Sequence, residues 1–186
     1  MKKNHIATSV QNAIAQPTHT MEPVVNMKNK QRGAMLLDNM IAAGFVAVVL
    51  IGIVASIPKI SYMMNLTEFQ KQEAEIASAT VSWKKKRSNF TGVSMKTLCD
   101  RQLVSKSICG TAGDGKLSNP FGGDWTVTGV GGHYQVTATL TNLDGETGRL
   151  WDVADSMAPS TRLQCSSADV CGSITGAGTK TLIMVH

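Results

Sequence analysis

Polar and apolar positions change rhythm several times along this chain, and each change marks an element. Residues 1–33 are polar, carry Gln, Asn, Thr, Pro and Lys, and show no sustained apolar period. Such a segment buries too little to fold on its own, which predicts a disordered leader. From Ala34 to Ile57 the sequence AMLLDNMIAAGFVAVVLIGIVASI runs for 24 residues with a single charge, Asp38. As a helix it would measure about 36 Å, enough to cross a hydrocarbon core of about 30 Å. After Pro58 the pattern turns amphipathic. Tyr62, Phe69, Ile76 and Trp83 recur every seven residues, with Leu66, Ala77 and Thr80 beside them and Lys71, Gln72, Glu73 and Glu75 between. The stripe predicts that the helix continues and lies on a sheet of its own domain. Pro58 removes one backbone donor and is expected to kink or loosen the helix where it leaves the membrane.

Residues 88–123 combine a short helical pattern around Met95 to Val104 with the Gly-rich stretch TAGDGKLSNPFGG, which reads as a loop. From Asp124 the period becomes two. WTVTGV and HYQVTATLT alternate and are separated by Gly131-Gly132, a hairpin signal. Leu150, Val153, Ala154 and Met157 then have helical spacing that ends at Pro159, and TRLQC and KTLIMV predict further strands. The expected fold class is α+β, a long N-terminal helix packed on a small antiparallel sheet. Three regions follow: 1–33, a leader; 34–57, a membrane-spanning helix; and 58–186, the amphipathic half of the helix with a globular head.

Charge sharpens this division. The formal net charge is +5, but residues 1–33 hold Lys2, Lys3, Lys28, Lys30 and Arg32 against Glu22, which leaves only +1 for the remainder. The basicity belongs to the leader, so specific nucleic-acid binding is not expected. The run Lys84-Lys85-Lys86-Arg87 sits near the expected helix end, where cations complement the macrodipole. An ordinary cleaved secretory signal would have a shorter apolar core followed by a small-x-small site. A signal anchor fits better, with Lys28, Lys30 and Arg32 cytoplasmic and the head outside.

The four cysteines Cys99, Cys109, Cys165 and Cys171 form two locally spaced pairs, which reads as disulfides made in an oxidising compartment. Zinc is disfavoured, because neither gap is a knuckle and no His lies within either pair. Of the three connectivities, the short loops Cys99–Cys109 and Cys165–Cys171 close most readily. No nucleophile elbow, phosphate loop or zinc-protease helix is present, and His5, His19, His133 and His186 have no partner at motif spacing. Neither an enzyme nor a cofactor or metal site is expected.

The segment KNKQRGAMLLDNMIAAGFVAVVLIGI resembles the processing and assembly signal of type IV prepilins, in which a basic leader ends in Gly and a carboxylate occupies the fifth mature position. Matched in this way, Gly33 ends the leader, Ala34 begins the mature chain and Asp38 is its fifth residue. The long leader, the non-Phe first residue and the paired cysteines resemble the type IVb branch. NPFGGDWTV and HYQVTATL look most like the pilins of plasmid-encoded conjugative thin pili. The sequence departs from the pattern in having Asp38 where Glu is usual, Ala34 where Phe, Met or Leu is common, and Pro58 later than in the type IVa branch.

The resemblance implies a pilin fold, cleavage after Gly33 by a prepilin peptidase at the inner membrane, and N-methylation of Ala34. It also implies homo-oligomerisation into a helical, extracellular filament, with a pilus assembly platform and an outer-membrane secretin as partners. Conjugative mating or adhesion would be the role. Glycine passes easily through a narrow protease cleft. A carboxylate in a membrane helix is costly enough to suggest a task and a partner, here the Ala34 amine. Two other readings share parts of the pattern: a pseudopilin of a type II-like secretion apparatus, and an unprocessed membrane-anchored periplasmic binding domain.

Overall fold

The computed structural model describes residues 28–186 except Lys86, with side chains from Asn39 onward. Residues 1–27, most of the expected leader, lie outside the described residues. The chain divides into two units, Met1–Gly52 and Ile53–His186.

In the first unit the described backbone is helical. Helix α1, Lys28–Lys84, begins six residues before the expected start at Ala34, so the end of the leader is helical and not disordered. The sequence KNKQRG contains no Pro, and Gly33 alone costs only about 1 kcal/mol in a helix. α1 passes through Pro58 as one element.

In the second unit, the remainder of α1 lies on an antiparallel sheet. The strands are β1 (Trp125–Val130), β2 (His133–Thr139), β3 (Ile174–Thr175) and β4 (Thr181–Val185), in the order β1-β2-β4-β3. Register places Val127 opposite Val136, Val136 opposite Met184 and Met184 opposite Ile174. All four are buried, as are Trp125, Ala138 and Leu182 in the neighbouring row. Alternation therefore sends one face of each strand to the core, where Phe69, Ile76 and Trp83 of α1 are also buried.

The remaining elements frame this pair of layers. Helix α2 (Met95–Asp100) starts at a capping box, in which Ser94 Oγ accepts from Thr97 N–H at 3.2 Å and Thr97 Oγ1 accepts from Ser94 N–H at 3.0 Å. It ends earlier than the expected Val104, where Gln102 takes a φ of +55°. Helix α3 (Lys106–Cys109) follows, tied to α2 by the disulfide Cys99–Cys109. Asn119 organises the NPFGGDW turn, donating to Thr139 O at 2.6 Å and accepting from Phe121 N–H at 2.8 Å. Gly123 is required there, since a Cβ would stand 1.9 Å from Thr139 O. Helix α4 (Thr147–Met157) buries Leu150, Val153, Ala154 and Met157, as the spacing predicts.

One expected strand is absent. TRLQC forms a turn, in which Thr161 Oγ1 donates to Ala158 O at 2.8 Å and Gln164 has a φ of +49°. A backbone bond from Arg162 N–H to Val185 O, 2.8 Å, joins it to β4. The edge of the sheet is filled instead by β3, too short to leave an alternating signature. The disulfide Cys165–Cys171 closes the loop between that turn and β3.

Candidate assembly surface

Gly33, Ala34 and Asp38 fall on α1, but their side chains lie outside the described residues. The surface that can be described begins at Asn39. Every residue from there to Ser61 is exposed, including Met40 at 75%, Phe45 at 72% and Ile51 at 70%. The most apolar eighteen-residue window of this helix has a mean hydropathy of 2.7, and none of it is buried. Exposed apolar patches on ordinary soluble domains rarely exceed a few hundred Å². By length and composition the helix can cross a membrane. Gly44 and Gly52 have open space where a Cβ would stand, so another helix could approach closely at either position.

Beyond Pro58 the helix has two unlike faces. On one, Tyr62 and Leu66 are partly buried and Phe69, Ile76, Thr80 and Trp83 are fully buried. On the other, Ile60, Met63 and Met64 remain exposed, lining with Thr67 and Glu68 a shallow depression of about 410 Å³. Within the second unit an exposed apolar face thus runs from Ile53 through Ile57 and Ile60 to Met64.

The inner face carries polar chemistry that the heptad pattern conceals. Gln72 and Glu73, which sit between the apolar positions of the repeat, are both buried. Gln72 Oε1 accepts from Trp125 Nε1–H at 2.9 Å, while the Trp125 ring stacks on Phe69 with centroids 4.6 Å apart. Glu73 Oε1 lies 2.9 Å from His186 Nε2, and neither atom has another hydrogen-bond partner among the described residues. Together they form an ion pair when the imidazole is protonated. Tyr134 stacks on His186 with centroids 5.1 Å apart, and its hydroxyl reaches Ala77 O at 3.4 Å. Burial, then the nearby Glu73 carboxylate, pushes the Tyr134 phenol up to about 12. A sealed aromatic and ionic seam therefore joins the helix to β1, β2 and the residue after β4.

At the helix end, Arg87 donates to Trp83 O and its guanidinium lies 4.2 Å from the Trp83 ring centroid. Lys84 Nζ lies 4.6 Å from the centroid of Phe90. These contacts satisfy a terminal carbonyl and place cations at the negative end of the macrodipole. His133 opens β2, whereas His5 and His19 are outside the described residues. Among the described residues, no cluster of His, Cys, Asp and Glu could hold a metal ion. No protein-family model matches the chain, and no curated protein or solved structure matches it.

Proposed function

We propose that this chain is the precursor of a type IV pilin, built into an extracellular fibre after its leader is removed. One observation carries the reading. The Gly33, Ala34, Asp38 signal lies on the same helix as a fully exposed apolar span, and that helix continues into the amphipathic half that an α+β head covers. Such a span is stable in lipid before assembly and can exchange lipid for neighbouring helices afterwards. The aromatic seam fastens the head to the amphipathic half of the helix, and the disulfides suit an oxidising exterior. In this reading the precursor sits in the bacterial inner membrane and the product is a surface pilus used in mating or adhesion.

Intact mass and N-terminal sequence of the protein recovered from membranes test the proposal. The expected product has 153 residues and begins at methylated Ala34. An intact leader on all of the protein would refute it and favour an unprocessed anchored domain. Electron microscopy of sheared surface material then separates a pilus from a short periplasmic pseudopilus.

A further inference from the structure

Two charge patches on the second unit have no ion-pair partner among the described residues. The first is basic and comprises Lys84, Lys85 and Arg87, where α1 ends. The second is acidic and comprises Asp152 and Asp155 on α4 with Asp169 in the Cys165–Cys171 loop. Trp151, exposed at 37% and next to Asp152 in the chain, lines with Asp155, Ser167 and Asp169 a depression of about 390 Å³.

The acidic patch is held in shape. Asp155 Oδ1 accepts from Ala168 N–H at 2.7 Å, which fastens the disulfide loop to α4. Ser167 Oγ–H donates to Asp169. Gly178, at a φ of +73°, brings the β3–β4 loop against the indole, and a Cβ there would stand 2.5 Å from Trp151 Nε1. The indole is thus fixed by its edge while part of it stays open. An aromatic ring framed by carboxylates is chemistry for a cation, the ammonium of a Lys or the guanidinium of an Arg.

One molecule cannot join its own two patches. Gln70 Nε2 reaches Ser156 O at 3.5 Å, which places the acidic end of α4 beside Gln70. Lys84 is 14 residues further along α1, so about 21 Å away along the helix axis. That is well beyond the reach of a Lys and an Asp side chain.

We infer that the basic end of α1 in one copy docks on the Trp151 patch of a second copy. The inference rests on the assembly reading given above and supplies one contact between heads. Because the two surfaces differ, the contact is heterologous, and its repetition generates an open helical array unless the rotation happens to close. Exposed single ion pairs contribute little, so the contact depends on several charges and the indole acting together.

Zero-length carbodiimide coupling of the full chain in native membranes tests this, with the dimer band excised and its peptides mapped. The expected product is an amide between Lys84 or Lys85 and Asp152, Asp155 or Asp169. Its yield should fall about tenfold in Asp152→Lys/Asp169→Lys and in Lys84→Glu/Lys85→Glu, and recover when both reversals are combined. Asp155 is left intact in these variants because its backbone bond supports the loop. Raising salt to about 0.5 M should also lower the yield of the parent chain. No dimer, a dimer lacking these peptides, or no recovery in the combined reversal overturns the inference. Cleaved and uncleaved chains are read alike, so a failed leader cleavage counts against the pilin reading and a missing amide counts against this contact.

Discussion

Glu73 carries a carboxylate into the seam between helix and sheet, where it is 1% exposed and faces His186. Burying such a pair costs desolvation of both groups, so its presence says little about net stability. Removing one partner while the imidazole is protonated is different, because the other charge is left buried without compensation at a cost of about 3–5 kcal/mol. Glu73→Ala should therefore lower the unfolding free energy of the detergent-solubilised chain by about 3 kcal/mol in denaturant titrations. Glu73→Leu with His186→Leu should recover most of that loss. A single variant as stable as the parent would show that the seam opens to water there. Tyr134 gives the same seam a pH signature. Its phenol is raised from 10 to about 12 in the folded chain, so between those values the folded state keeps a proton that the unfolded state has released. The contribution is complete below pH 10 and is lost as pH rises through about 12, a range of up to about 2–3 kcal/mol. Tyr134→Phe should flatten the stability profile across that interval, and an unchanged slope would exclude Tyr134 as its source.

At the scale of elements, the two faces of α1 beyond Pro58 make opposite predictions. Phe69 is fully buried between Phe121 and Trp125, so Phe69→Ala should cost about 3–5 kcal/mol through lost contacts and a cavity. Met64, 67% exposed on the outer face, should tolerate Ala within about 0.5 kcal/mol in the same unfolding assay. Equal losses from the two would contradict the assigned orientation of the helix. The Phe69, Ile76, Trp83 stripe was legible because period and burial coincide along one helix. β1, β2 and α4 were legible for the same reason, and the Gly131-Gly132 turn joins β1 to β2 as its residues suggest. Gln72 and Glu73 were not, since what buries them is a partner far away in sequence; Trp125 lies 53 residues beyond Gln72. β3 has only two residues, too few for any alternation to register, whereas TRLQC alternates but spends its hydrogen bonds on a local turn. Of the candidate site, Gly33, Ala34 and Asp38 could be read only as a motif. The Trp151 patch needed the fold, because α4 and the disulfide loop that frame it meet through Asp155 and Ala168.

At the scale of the whole molecule, the proposed pilin role would require the exposed apolar span to suit two surroundings in turn, lipid before assembly and other helices after it, and on that proposal Asp38 is where the two demands conflict. The residue lies on α1 within the apolar run, where a carboxylate costs about 2.5–3.5 kcal/mol on membrane insertion. If it is retained to meet the Ala34 amine of the same or a neighbouring chain, removing it should ease insertion and harm polymerisation. Asp38→Leu should therefore accumulate normally in the inner membrane and still lose its leader, because the proposed cleavage turns on the residues around Gly33. Sheared surface fibre should nevertheless fall at least tenfold relative to processed membrane protein, the expected loss for a charge pair worth about 1.4 kcal/mol or more. Asp38→Asn keeps the size without the charge and should behave like Leu. Asp38→Glu keeps the charge on a longer stem and should retain most of the fibre. The ratio of fibre to processed membrane protein across these three variants separates charge from shape. Parental ratios from both Leu and Asn would mean that the carboxylate merely reaches toward water at the membrane surface, as long polar side chains near a span's end do.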